Sequence, residues 1–102
     1  MRLEPALTPD AHADVLHAAE QYDAQRPSLG LDFLDEFERV TALIREAPLL
    51  STLVDPPVRR ALLRRFPYGV FFVAGSGDAQ DLIVAVVDLR QDPELIRRAY
   101  LR

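Results

Sequence analysis

Val70-Phe71-Phe72-Val73-Ala74-Gly75-Ser76-Gly77-Asp78, followed after Ala79-Gln80-Asp81 by Leu82-Ile83-Val84-Ala85-Val86-Val87, is the stretch that decides the fold. Two β-branched and aromatic runs flank glycine, serine and aspartate, the residue types a hairpin turn needs. They read as two antiparallel strands with the turn at Gly75–Asp78. A phosphate cradle is the competing reading of the same glycines. The loop lies between strands, however, and lacks the aligned N–H groups of a helix start. Alternation sends Phe71 and Phe72 to opposite faces of their strand. One ring is expected in the core against helices. The other is expected on an open sheet face, where a partner segment would add apolar burial.

Working upstream, Val58-Arg59-Arg60-Ala61-Leu62-Leu63-Arg64-Arg65-Phe66 mixes apolar and basic residues and reads as another strand, turned into the first run by Pro67-Tyr68-Gly69. Leu49–Pro57, with three prolines counting Pro48, reads as a connector. Before it, Phe33, Phe37, Val40, Ile44 and Ala47 recur at helical spacing and predict an amphipathic helix from about Leu31 to Ala47. Thr8-Pro9-Asp10 opens an earlier helix: Thr8 caps it, Pro9 fits its first position, and Asp10 suits its dipole. Its stripe is Ala11, Val15, Ala18, Ala19 and Tyr22, broken by Arg26-Pro27-Ser28-Leu29-Gly30. So short a break predicts an αα-hairpin, packed stripe to stripe. Residues 2–8 predict a short strand, held to an edge because Pro5 cannot donate to a ladder. Downstream, Asp92-Pro93-Glu94 repeats the capped opening, and Leu95, Ile96, Ala99 and Tyr100 suit a short C-terminal helix or tail. The expectation is one α+β domain over residues 1–102, ordered β-α-α-β-β-β, with the helix pair on one face of a small antiparallel sheet.

A chain of 102 residues, 49% hydrophobic and 27% charged, has the composition of one folded domain and no room for a full dinucleotide-binding fold. Without cysteine there is no disulfide framework, thiolate metal site or cysteine nucleophile. Its absence suits a cytosolic, cytoplasmic protein. No apolar run approaches a membrane span, and Met1-Arg2-Leu3-Glu4-Pro5 does not open as a secretory leader. All twelve cations are arginine. Residues 1–50 hold 4 of them against 10 acids, and residues 51–102 hold 8 against 6, so the net −4 divides into −6 and +2. A protein built to grip nucleic acid is more often basic overall. Any such grip must come from the C-terminal half.

Three blocks make the chain resemble the RelE/ParE superfamily, bacterial toxins of type II toxin–antitoxin pairs often called plasmid stabilisation proteins. The first runs from Thr8-Pro9 through Ala11, Asp14, Ala18 and Tyr22 to Pro27-Ser28-Leu29-Gly30, Phe33 and Glu36. The second is Val58 to Phe72, with Arg-Arg ahead of a strand ending Phe-Pro-Tyr. The third is Val84-Ala85-Val86-Val87 with Arg90 and Asp92-Pro93. The resemblance implies two helices on a small antiparallel sheet, growth inhibition, and a cognate antitoxin held in a hetero-oligomer. It implies a target of DNA gyrase for the ParE branch, or of the ribosome for the branch that cuts messenger RNA; it implies no cofactor and no membrane. The departures are specific. Asp88, Gln91 and Ile96 stand where many relatives carry histidine, arginine and tryptophan. Gly69 and Ile96 stand where the cutting members carry an arginine and a tyrosine. Of that group's basic set Arg60 and Arg90 remain, with Leu62 at the other strand position.

RNA cleavage without a metal needs guanidinium groups on the phosphorane, and a base and an acid on either side of it. Arginine stays protonated, and the sheet half offers no histidine; Tyr68 and Tyr100 are its titratable aromatics. The catalytic set is thus incomplete, which weighs against an enzyme; a nuclease would rest on Arg60 and Arg90. The plainer reading makes Arg59, Arg60, Arg64, Arg65, Tyr68 and Arg90 a solvated or partner-facing surface. Three functions follow: a ParE-like toxin that binds its target, a ribosome-dependent endonuclease, or a degenerate non-toxic relative. His12 and His17 lie five apart on a helix, a rotation of roughly 140° against about 40° for four, so they read as ordinary helix residues and not as metal ligands. No Ser–His–Asp arrangement can be argued, since both histidines lie in one helix. Asp32, Asp35, Glu36 and Glu38 read as a solvated helix face.

Overall fold

The computed structural model describes residues 2–102; Met1, the first residue of the stretch weighed as a leader, lies outside them. Strand β1 (Ala6–Leu7) leads into helix α1 (Pro9–Gln25). Thr8 caps α1, its hydroxyl accepting from the Ala11 N–H at 3.1 Å, with Pro9 in the first turn. Helix α2 (Leu29–Glu46) begins two residues before its apolar stripe predicts. Ser28 takes a left-handed turn (φ 71°), and Asp23 of α1 accepts from the Gly30 N–H at 2.7 Å. The cap therefore comes from the preceding helix rather than from a local side chain. Ala47 lies beyond the end of α2, in the bend before a single 3₁₀ turn, Pro48–Leu50.

The connector contains a strand. Thr52–Asp55 is β2, turned at Pro56–Pro57 into β3 (Val58–Leu62). The prolines lie outside the paired residues, so they remove no ladder hydrogen bond, and Leu53-Val54 supplies the β-forming pair. Residues 63–67 leave the expected strand and form the turn into β4 (Tyr68–Val73), which pairs with β5 (Leu82–Asp88). The sheet order is β1-β5-β4-β3-β2, antiparallel throughout except that β1 runs parallel to β5 at the edge. Gly75 keeps the β4–β5 loop tight: a side chain there would strike the backbone oxygens of Ala79 and Gln80.

The expected helix packing is present. Val15, Ala18, Phe33, Phe37, Val40 and Ile44 are buried, with Tyr22 partly so, against Val70, Phe72, Ile83 and Val86 of the sheet. Burying two such stripes against one sheet face is the main apolar term holding the fold. The other face is not open. Helix α3 (Pro93–Tyr100), capped by Asp92 accepting from Glu94 N–H at 2.8 Å, lies over Phe71, Ala85 and Val87. Tyr100 stacks on Phe71 with centroids 4.7 Å apart, and Phe71 is left 2% exposed. The chain itself supplies the cover that sequence reasoning reserved for a partner.

β1 pairs with β5 only at Leu82 and Ile83, so the rest of that edge needs other partners. The Asp14 carboxylate accepts from Val86 N–H at 3.0 Å, and Arg102 donates to Val84 O at 3.4 Å while pairing with Asp14 at 2.8 Å. Asp81, fully buried, pairs with Arg2 at 2.6 Å and accepts from Gly75 N–H at 2.9 Å. Residues near the N-terminus, the hairpin loop and the C-terminus are thereby tied along the same side of β5.

Candidate partner-binding site

The β3 block places its four arginines in different surroundings. Arg59 donates to the carbonyl oxygens of Leu49 and Ser51, at 3.3 and 2.9 Å. Arg60 stands opposite Phe71 and lines a crevice of about 310 Å³ under α3, with Leu89, Ile96 and Tyr100. Its Nε is buried without a hydrogen-bond partner. Arg64 and Arg65 lie exposed in the β3–β4 turn, where Arg65 faces Asp32 at 3.5 Å and sits 5.5 Å from the Phe66 ring centroid. Arg90 folds back on Asp88 through two contacts, 3.1 and 2.8 Å, and holds that carboxyl below its usual range. Arg60 and Arg90, the two residues a nuclease would use, thus have different surroundings.

Tyr68 is 8% exposed and belongs to an aromatic cluster, 5.1 Å from Phe33 and 6.0 Å from Tyr22. Burial raises its hydroxyl pKa, so near neutral pH it is a protonated core residue with one edge on a groove shared by Asp14, His17 and Asp88. Tyr100 is likewise raised, by burial and then by Asp55, which its hydroxyl meets at 3.3 Å. Asp55 also binds Arg97 at 2.9 Å, locking α3 to β2.

Gly69 packs against three residues that line the crevice. A side chain there would meet Leu89 Cδ2 and Phe71 Cε1 at 3.2 Å and Arg60 Cγ at 3.3 Å. Any side chain at this position would have to shift Leu89, Phe71 or Arg60 by a few tenths of an ångström. Ile96, in the tail helix, brings an apolar side chain to the same crevice.

Glu36 is not part of a solvated face. It is 9% exposed, pairs with Arg39 at 2.9 Å, and accepts from the backbone N–H groups of Arg64 and Arg65, the latter at 3.2 Å. Arg39 first, and then the two backbone donors, lower its pKa to about 2. Asp32 faces arginines 26 and 65 across the surface, while Asp35 and Glu38 are exposed as expected. His12 and His17 are exposed on α1. Among the described residues no group of three or more His, Asp or Glu could hold a metal, and no helix is long and apolar enough to cross a membrane.

No family model matches the chain, and no curated protein matches it in sequence. A solved structure does match: a chain of the chromosomal ParDE toxin–antitoxin system from P. aeruginosa superposes with a TM-score of 0.70 at 18% identity, over 85% of this chain and 98% of that one. That likeness shows the fold alone, an α+β arrangement of strand, helix pair, strands and a short C-terminal helix shared with that ParDE chain.

Proposed function

We propose that this chain is the toxin component of a type II toxin–antitoxin module of the ParE kind, which acts by binding an intracellular protein target such as DNA gyrase and is neutralised by a cognate antitoxin. The carrying observation is Gly69, closely packed by Leu89, Phe71 and Arg60, at the place where the cutting relatives carry an arginine. An apolar crevice with one guanidinium is suited to holding side chains of a protein. It lacks the second charge stabiliser and the acid that phosphoryl chemistry needs, and loss of one such donor typically costs about 100- to 1000-fold in rate. The likeness to a ParDE chain and the acidic net charge of −4 support the same reading. The module's place would be the cytoplasm.

The endonuclease reading draws on Arg60, which lines the crevice and whose Nε is buried without a hydrogen-bond partner. Toeprinting on translating ribosomes tests the choice. Purified protein freed of its antitoxin is expected to leave message intact. Efficient cleavage, lost in Arg60→Ala or Arg90→Ala, would establish the nuclease instead. A chain that binds its antitoxin yet neither cuts message nor slows growth would be the degenerate relative.

A further inference from the structure

We propose that the crevice between α3 and the sheet binds a small apolar monocarboxylic acid, with the carboxylate on Arg60 and the hydrocarbon part along Phe71, Leu89 and Ile96. Such a site neither requires nor follows from the toxin reading. The crevice has a volume of about 310 Å³ and is walled by Val54, Phe71, Leu89, Ile96 and Tyr100, with Arg60 the one cation on its lining. At the roughly 30 Å³ that a water molecule takes in the liquid, that space suits about ten non-hydrogen atoms. Mostly apolar walls with few placed polar groups are the usual form of a small-molecule site.

Arg60 defines the ligand's charge. Its Nε is buried with no hydrogen bond, and among the described residues no carboxylate lies within 4.0 Å of its guanidinium. A buried donor without an acceptor is costly, and a carboxylate takes two parallel N–H bonds from one guanidinium. Arg97 of α3 is already paired with Asp55 at 2.9 Å, so the crevice balances one negative charge. A phosphate monoester would bring nearly two. A nucleic-acid strand would set ribose hydroxyls against Val54, Leu89 and Ile96 and leave them unpaired. Position decides what binding would do. Arg60 and Phe71 face each other on paired strands, whereas Ile96 and Tyr100 belong to α3, which has no buried residue of its own. A ligand touching both sides adds to the Tyr100–Phe71 stack and the Arg97–Asp55 pair that hold α3 on the sheet.

The test uses the purified full chain, with 3-phenylpropionate and octanoate as probes and 3-phenylpropanol, octanol and inorganic phosphate as controls. Titration followed by amide NMR is expected to shift residues of β3, β4 and α3 with a Kd at or below about 1 mM. Hydrogen exchange in α3 should slow when the acid is bound. Each alcohol should bind at least about tenfold more weakly than its acid, and phosphate should not bind. Arg60→Met should weaken the acids at least about tenfold, whereas Arg64→Met, which removes the same charge from an exposed turn, should not. Ile96→Trp, which fills the crevice, should abolish binding. Circular dichroism and melting of each variant separate lost binding from lost folding, and the acid–alcohol comparison needs no variant. Acid and alcohol bound alike, binding that survives Arg60→Met, or no saturable shift up to about 10 mM would each overturn the site. Phosphate or a short single-stranded RNA bound at these residues in place of the acids would overturn it in favour of phosphoryl groups. Failure of the acids to bind leaves the toxin reading standing.

Discussion

Glu36 holds the β3–β4 turn from α2, its carboxylate accepting from Arg64 and Arg65 N–H while Arg39 balances its charge. Because that carboxyl titrates at about 2 instead of 4.5, folding favours its ionised form. A depressed carboxyl contributes stability that is complete above its unfolded value and lost as pH falls through the folded one. Acid melting between about pH 5 and pH 2 should therefore be steeper in the wild type than in Glu36→Gln. At neutral pH Glu36→Ala should cost about 1–3 kcal/mol by leaving the turn's donors unpaired, read from urea unfolding. An unchanged acid slope in the Gln variant would show that the carboxylate does not hold the turn. Helical spacing assigns Glu36 to a polar face. Nothing local marks it as buried: Arg39 stands three residues on, but the backbone donors that its carboxylate serves come from a turn 28 residues away.

Helices α1 and α2 were legible because their signals are local: a threonine–proline opening, an apolar stripe, a break at Pro27. Phe37 sits on that stripe at 8% exposure, and Phe37→Ala should lower stability by about 3–5 kcal/mol in denaturant unfolding. A loss under about 1 kcal/mol would mean the helix phase is wrong. β2 was hidden by its flanking prolines, and the role of α3 by its tertiary nature. No residue of α3 is buried; it is held by Tyr100 on Phe71, Arg97 on Asp55, and the Arg102–Asp14 pair just beyond it. Tyr100→Ala should accordingly cost about 1–3 kcal/mol and raise binding of an apolar dye, as the Phe71 face is uncovered. An unaltered dye signal would mean that α3 does not depend on the stack.

Across the whole molecule the arginine surplus of residues 51–102 does not condense into one pocket. The block structure of the sequence foretold where the cations lie in the chain, and it could not foretell that Arg65, Arg97 and Arg102 are paired with acids distant in sequence. Affinity for the antitoxin should fall several-fold as salt rises, because Arg59 and Arg64 would pair at a solvent-exposed rim; salt-independent binding would contradict that placement. The central claim is a toxin that binds a protein target and is silenced by another. It is tested most directly by inducing the chain in cells with and without its antitoxin while scoring growth, trapped gyrase–DNA breaks and message integrity together. Arrested growth with accumulated breaks and intact message is expected, all reversed by the antitoxin. Message cut at the ribosome without DNA breaks, and spared in Arg60→Ala, would contradict it.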